Sequence, residues 1–141
     1  MKWLALALIL ALLGAGAWVR LAPAAPADWH ADPRSAPDPA TPNFARLVLD
    51  LPLPPDQAAG RLAAAMAALP RTRLFAGDPA AGLATWESRS ALWGFPDYTS
   101  AAIDPTATGS RLTLLARARF GQSDLGVNAA RLARIRAALL P

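Results

Sequence analysis

The stretch ARARFGQSDLGVNAAR, residues 116–131, leads from a strand through a turn into a helix. It continues a segment over 110–120 in which apolar and polar side chains alternate, which is typical of a half-buried strand. On one face we expect Leu112, Leu114, Ala116 and Ala118, and on the other Arg111, Thr113, Arg117 and Arg119. The strand is therefore predicted to place two neighbouring arginines on the face opposite its apolar side chains.

The second half of the stretch has the composition of a turn and a helix start. Gly121 and Gly126 permit positive φ, and Asn128 is predicted to cap a final helix over about 129–140. One side of that helix carries Leu132, Ile135 and Leu139. Asp124 is expected either to bond to loop amides or to hold Arg119 or Arg131.

The rest of the chain after residue 43 supplies four more strands and one helix. Strands are predicted over 44–51, 71–76, 82–90 and 97–104, separated by turns rich in Gly, Asp and Pro. A helix is predicted between Pro55 and Pro70, with Leu62, Met66 and Leu69 on one face. The order is β-α-β-β-β-β-α.

This order predicts an α+β fold with a single domain over 44–141. An antiparallel sheet with both helices packed on one face is the simplest way to bury the two apolar stripes. The same order occurs in helix-grip and TATA-binding-protein-like folds. That likeness is one of topology, and it carries no function.

Residues 1–20 are predicted to form an apolar helix that acts as a membrane anchor or a signal peptide. Residues 3–19 contain no charge and follow Lys2, and Trp3 and Trp18 lie where interfacial aromatic residues belong. The small residues at 15–17 also offer a cleavage site. We favour an uncleaved anchor with the domain in the periplasm, and secretion into the periplasm after cleavage is the alternative.

Residues 21–43 hold six prolines and no apolar periodicity, so we expect an extended tether. Trp29 is expected to pin this tether to the surface of the domain. His30 and Asp32 are two candidate metal ligands, fewer than the three or four that a zinc site needs, and no metal is assigned.

Composition excludes several classes of function. The chain has no cysteine, so it has neither disulfides nor thiolate chemistry, and its net charge is +4. All basic residues except Lys2 are arginines, but no dense basic stripe is interleaved with aromatic residues, so we expect no nucleic-acid partner. No cofactor is assigned.

We predict that Glu87 pairs across the sheet with Arg117 or Arg119, because Thr85, Glu87 and Arg89 share one face of their strand. A ligand-binding hypothesis places an acidic head group near Arg89, Arg117, Arg119 and Arg131, and uses four aromatic residues as an apolar wall. The wall would contain Trp86, Trp93, Phe95 and Tyr98. The candidate polar residues are Arg89, Asp97, Arg117, Arg119, Ser123, Asp124, Asn128 and Arg131.

Two segments resemble the domain-of-unknown-function family 1499, which occurs in bacterial envelopes and plastids. They are ESRSALWGFPDYTS (87–100) and ARARFGQSDLGVNAAR (116–131). The second family motif has the form S-R-S-R-x-G-x-S-D-L-G-x-N-x-x-R, and the resemblance covers about residues 40–140. Ala116 and Ala118 replace its leading serines, so a mechanism that depends on those hydroxyls is not expected here. The resemblance implies a fold and an envelope location, and no substrate.

Three functions remain open. We favour a non-catalytic structural or protein-interaction domain, with the membrane contacted through residues 3–19 and an envelope protein as partner. The alternative is a binding module for a lipid or another anionic or amphipathic small molecule. The third is a hydrolase that uses Ser123 and Asp124, or Glu87 with Asp97 or Asp124, and it has no histidine outside the tether to act as a base. No catalytic residue is assigned.

Overall fold

The structure is a computed structural model that describes residues 1–140. It contains four α-helices, five strands and a short 3₁₀ turn at Pro79–Ala81. The helices are α1 (Lys2–Leu21), α2 (Pro26–Trp29), α3 (Pro55–Ala67) and α4 (Val127–Leu139). The strands are β1 (Phe44–Leu51), β2 (Thr72–Asp78), β3 (Leu83–Arg89), β4 (Pro96–Thr106) and β5 (Gly109–Ala118). The predicted fold class, α+β with the order β-α-β-β-β-β-α after an N-terminal helix, is confirmed.

The five strands form one antiparallel sheet in the order β1-β5-β4-β3-β2. The three hairpins β2–β3, β3–β4 and β4–β5 follow from short connections whose turn residues permit tight reversal. β1 joins the free edge of β5, so the first and last strands of the chain are neighbours. This register places Arg73, Glu87, Tyr98 and Arg117 in one row across four strands.

One face of the sheet is covered by α3 and α4, as predicted. The core lies between these two helices and the sheet. It includes the buried side chains of Leu62 and Met66 of α3, Ile135 of α4, and Leu112 and Leu114 of β5. These side chains come from alternate strand positions and from the apolar stripes of the two helices. Burial of each large apolar side chain contributes about 1.5–3 kcal/mol.

The opposite face of the sheet is covered by the chain itself. Residues 22–38, which we call the strap, run across this face between α1 and β1. The Trp29 ring stacks on Tyr98 with 4.5 Å between centroids, and His30 Nδ1 lies 2.9 Å from Thr85 Oγ1. The expectation that Trp29 pins this segment is confirmed. The proline-rich segment is therefore packed against the sheet.

The 20 residues of α1 make a helix about 30 Å long with no buried residue. It is long and apolar enough to cross a membrane, a property that N-terminal signal sequences share. Its last two turns meet the loop between β3 and β4: the Trp93 ring lies against Gly16, and Arg20 Nη2 donates to the Leu92 carbonyl at 2.8 Å. We call this side of the sheet, where β2 and β4 begin and β3 and β5 end, the α1 end.

Candidate functional site

The turn that enters α4 is organised by Asp124. Its carboxylate accepts hydrogen bonds from the backbone N–H of Gly126 at 3.0 Å and of Asn128 at 2.9 Å. The helix begins at Val127 after Gly126, which has φ of 80°. The prediction that Asn128 caps this helix is therefore wrong: an acid four residues earlier satisfies its backbone amide, and Asn128 lies inside the first turn. Of the alternatives for Asp124, the structure shows the bond to loop amides.

The environment of Asp124 stabilises its charged form. Burial alone would raise the pKa of this carboxyl group, but the N–H groups of Asn128 and Gly126 outweigh it and lower the pKa below its usual value. The position before a helix N-terminus favours the same charge. Nearby, Ser123 Oγ accepts from the Leu125 N–H at 3.2 Å, so the serine hydroxyl is also used by the turn.

Asn128 joins the turn to the sheet. Its buried side chain amide donates to the Asn43 carbonyl at 3.4 Å and accepts a hydrogen bond from Arg131. Arg131 in turn donates to the Asp97 carboxylate at 2.9 Å, and both side chains are almost buried. Burial raises the pKa of Asp97, although Arg131 opposes the shift. Asp97, Asn128 and Arg131 therefore form one hydrogen-bonded group on the helix side of the sheet.

Beside this group lies a groove of about 350 Å³ between the α1 end of the sheet and the start of α4. Its apolar walls come from Phe95, Phe120, Leu125 and Val127, and its polar lining includes Asp97 and Arg131. Every lining residue belongs to one of the two segments 87–100 and 116–131. The groove is where these two segments meet.

Leu125 has an unusual position in this groove. The residue is 93% exposed, and its backbone has φ of 52°. A left-handed conformation strains a residue with a Cβ by about 1–3 kcal/mol, and glycine or asparagine is the usual choice there. A leucine that is both strained and exposed is not explained by packing of the domain.

The predicted arginine group divides between two faces. Arg117 and Arg119 donate to carbonyls of the strap: Arg117 to Trp29 at 2.8 Å, and Arg119 to Ala22 and Pro23 at 3.1 and 2.8 Å. The Arg117 guanidinium also lies over the Trp29 ring, and burial lowers its pKa. These two arginines hold the strap in place, and Arg131 lies on the other face.

The predicted pair between Glu87 and Arg117 or Arg119 is wrong. Strand β4 lies between their strands, so Tyr98 separates Glu87 from Arg117 by two strand spacings, about 10 Å. Glu87 instead binds Arg73 and Arg89, each at 2.7 Å. Burial by itself would raise the pKa of Glu87, but the guanidinium of Arg89 and then that of Arg73 outweigh it and keep the pKa low.

The proposed aromatic wall is also dispersed, since only Phe95 of its four members lines the groove. Trp86 is in the core, Tyr98 lies under Trp29, and Trp93 lies on α1. Sequence reasoning missed Phe120, Leu125 and Val127. An apolar residue between Asp124 and Gly126, where the turn favours polar residues, was the signal that could have identified Leu125.

Ser123 and His30 lie on opposite sides of the sheet. Ser123 Oγ is occupied by a backbone amide, and His30 bonds to Thr85 on the opposite face of the sheet. Within residues 1–140 no three His, Asp or Glu side chains lie close enough to hold a metal ion. The lining of the groove contains one ion pair, between Asp97 and Arg131.

Comparison with known proteins gives a family and a fold. The profile of a protein family of unknown function, DUF1499, matches residues 22–139, so the chain belongs to this family. No curated protein matches the sequence. A crystal structure of a protein from Mesorhizobium loti is similar over 68% of this chain and 93% of its own, with 10% identity and a TM-score of 0.52. The structure of a protein from Rhizobium leguminosarum is similar over 68% of this chain and 91% of its own, with 11% identity and a TM-score of 0.49. At these identities the likeness to the first structure indicates the fold alone.

Proposed function

We propose that this member of the DUF1499 family is a non-catalytic binding domain of the cell envelope that holds an apolar group of an amphipathic ligand in the groove beside α4. The observation that carries the proposal is Leu125, which offers a fully exposed apolar side chain from a strained backbone at the rim of the groove. A strained residue at a cavity is a reasonable indicator of function. The volume of about 350 Å³ lies within the range of small-molecule sites.

The charges of the groove define what the polar part of the ligand can be. The lining contains two acids, Asp97 and Asp124, and one arginine, Arg131, which already binds Asp97. An anionic group placed here would meet a net negative charge. The groove therefore favours a ligand whose polar part is neutral or positive, which departs from the acidic head group expected from the arginines.

The membrane placement belongs to the same proposal. With α1 as an uncleaved anchor and Lys2 on the cytoplasmic side, the domain lies in the periplasm with its α1 end towards the bilayer. The groove opens at this end, close to the source of amphipathic molecules. Cleavage of α1 as a signal peptide would leave the groove intact and release the domain into the periplasm.

The groove is tested with residues 22–141, because α1 contributes no buried residue. The uncharged fluorophore 1-N-phenylnaphthylamine is expected to bind at one saturable site. For Leu125→Gly we expect the Kd to rise about tenfold, a loss of about 1.4 kcal/mol of binding free energy. The free energy of unfolding should stay unchanged or rise by up to about 1 kcal/mol.

The matched control is Leu92→Gly, which removes another exposed loop leucine at the same end that does not line the groove. It should leave Kd unchanged. Equal Kd values for the wild type and Leu125→Gly, or fluorescence that does not saturate, would contradict the proposal.

A second candidate, a structural or protein-interaction domain, is favoured by the hydrogen bonds of the turn. Ser123, Asp124 and Asn128 are all engaged within the protein. If they act only in folding, then Asp124→Ala should lower stability and leave the ligand affinity of the remaining folded protein unchanged. The Leu125→Gly result separates this candidate from the first.

A further inference from the structure

A second cavity at the α1 end, of about 550 Å³, lies on the other side of the loop between β3 and β4. Arg20 at the end of α1, Arg71 and Arg73 at the start of β2, and Arg89 at the end of β3 line it. We call it the arginine cleft. The single acid in its lining is Glu87, so three positive charges remain in excess.

The hydrogen bonds of the cleft leave most of this charge available. Glu87 binds Arg73 and Arg89 and so neutralises one charge of that pair. Arg71 donates from Nε to the Arg89 carbonyl at 2.9 Å, and Arg20 donates from Nη2 to the Leu92 carbonyl. Neither Arg20 nor Arg71 forms a salt bridge with an acid within residues 1–140. Each guanidinium has five N–H donors, so most of theirs remain free for a ligand.

The backbone of Arg71 gives an independent indication. Its φ is 52°, the left-handed region in which a residue with a Cβ is strained. The side chain is exposed and packs into no core, and its hydrogen bond to the Arg89 carbonyl uses one of its five N–H donors. Glycine would adopt this conformation without strain, so a strained arginine at this position indicates a role beyond folding.

The chemistry of the cleft selects an oxyanion. Guanidinium groups bind phosphate oxygens through paired, charge-assisted hydrogen bonds, and several of them around one cavity match a group with three or more oxygens. Arg20 lies in the last turn of an apolar helix about 30 Å long. If that helix crosses the bilayer, the cleft lies at the depth of the lipid phosphates on the side where the domain lies.

We infer that the arginine cleft binds the phosphate of an anionic phospholipid head group. The inference rests on the membrane placement in the proposed function but uses a different cavity from the apolar groove. Binding would hold the α1 end of the domain against the bilayer surface through Arg20, Arg71 and Arg73, while Arg89, whose terminal nitrogens donate to Glu87 and to the carbonyls of Arg20 and Gly94, adds positive charge.

The test uses the full chain in dodecyl maltoside and native mass spectrometry with added phosphatidylglycerol or phosphatidylcholine. We expect phosphatidylglycerol to bind at least tenfold more tightly than phosphatidylcholine. Arg71→Gly should reduce this preference at least fivefold with Tm unchanged or raised, because glycine relieves the backbone while the charge is lost. Arg20→Gln should reduce the preference similarly.

The matched control is Arg61→Gln, which removes the same charge from an exposed position of α3 that lines neither cavity. It should keep the full preference. Equal binding of the two lipids, or a preference that survives in Arg71→Gly and Arg20→Gln, would overturn the inference. A Tm rise with inorganic phosphate that is lost in Arg71→Gly, without phosphatidylglycerol binding, would overturn the lipid assignment in favour of a free phosphate.

These outcomes are independent of the groove. Leu125→Gly leaves the arginine cleft intact, and Arg71→Gly leaves the apolar lining of the groove intact. Fluorescence of the wild type that does not saturate, together with a preference for phosphatidylglycerol, would refute the proposed function alone. Saturable fluorophore binding without that lipid preference would refute the cleft alone.

Discussion

Arg71 and Leu125 are the two non-glycine residues with positive φ within residues 1–140, and each has φ of 52°. Strain of this kind costs about 1–3 kcal/mol and persists only where surrounding structure or function maintains it. Both residues lie at the α1 end, one beside the arginine cleft and one beside the apolar groove. The two positive-φ residues and the two cavities therefore lie at the same end of the molecule.

At the same scale, Asp124 is expected to contribute to stability in a pH-dependent way. Its folded pKa lies below the unfolded value of about 3.9, so its contribution is complete above that value and is lost as pH falls through the folded pKa. Asp124→Asn should lower the free energy of unfolding by about 0.5–2 kcal/mol at pH 7 and by much less near pH 2. Urea unfolding of residues 22–141 at both pH values measures the difference.

Ser123→Ala is the control for this prediction, since it removes a neutral hydrogen bond to Leu125 in the same turn. Its effect should be smaller and should not change with pH. A loss in Asp124→Asn that is equally large at both pH values would refute the role of the charged carboxylate.

At the scale of elements, the strap changes how the sheet should be understood. An isolated sheet with helices on one face would expose Thr85, Tyr98 and Arg117 to solvent. In this chain Trp29 and the strap carbonyls cover them, and Arg46 donates to the Pro33 carbonyl at 2.6 Å to hold the later part of the strap. The strap is thus a third layer of the domain.

We expect Trp29→Ala to destabilise residues 22–141 by about 2–3 kcal/mol. Truncation of a buried Trp costs about 3–5 kcal/mol, and this ring is partly exposed. The change also removes the stacking on Tyr98 and the ring beneath the Arg117 guanidinium. Thermal unfolding followed by circular dichroism measures the effect.

The same fragment provides a control in Trp93→Ala. The Trp93 ring packs on Gly16, which the fragment lacks, so its removal should change stability by less than about 0.5 kcal/mol. Similar losses in the two variants would show that the strap does not stabilise the sheet.

At the scale of the whole molecule, the two ends of the sheet differ in character. The α1 end carries the arginine cleft and the exposed side chains of Leu92, Trp93 and Leu125. At the opposite end lie acids such as Asp50, Asp78 and Asp104. Basic and apolar surface facing one way, together with α1, suits a domain held against an anionic bilayer.

This arrangement predicts the depth of Trp93. The ring lies against Gly16, about 7 Å before the end of α1, so a membrane-spanning α1 would place it in the interfacial layer. In vesicles that contain brominated lipid, Trp93→Phe should reduce the quenchable fraction of tryptophan fluorescence. Trp86→Phe, a change in the core, should leave the quenched signal unaltered.

Equal quenched signals for the wild type and Trp93→Phe would place this loop outside the bilayer. Trp18 provides an internal reference, since it lies in the last turns of α1 and is exposed. Its quenching should persist in both variants if α1 crosses the membrane.

Local patterns in the sequence predict the order of strands and helices, the apolar faces and the N-terminal apolar helix. Alternation along β5 and the spacing of Leu132, Ile135 and Leu139 are local properties, and local geometry turns them directly into buried faces. It also indicated that Trp29 holds the segment before β1. Of the residues proposed for the site, the structure brings Asp97, Asn128 and Arg131 together and places Ser123 and Asp124 in the adjoining turn.

Which charged side chains pair with each other depends on the packing of the whole chain. Glu87 binds Arg73 because β2 and not β5 is the neighbour of β3, and strand order is a long-range property that alternation does not contain. For the same reason Arg117 and Arg119 bind the strap, and the apolar wall of the groove consists mainly of residues outside the predicted set. The face of a helix or strand on which a side chain lies follows from its spacing in the sequence. The residue that it contacts depends on which distant segments of the chain pack together.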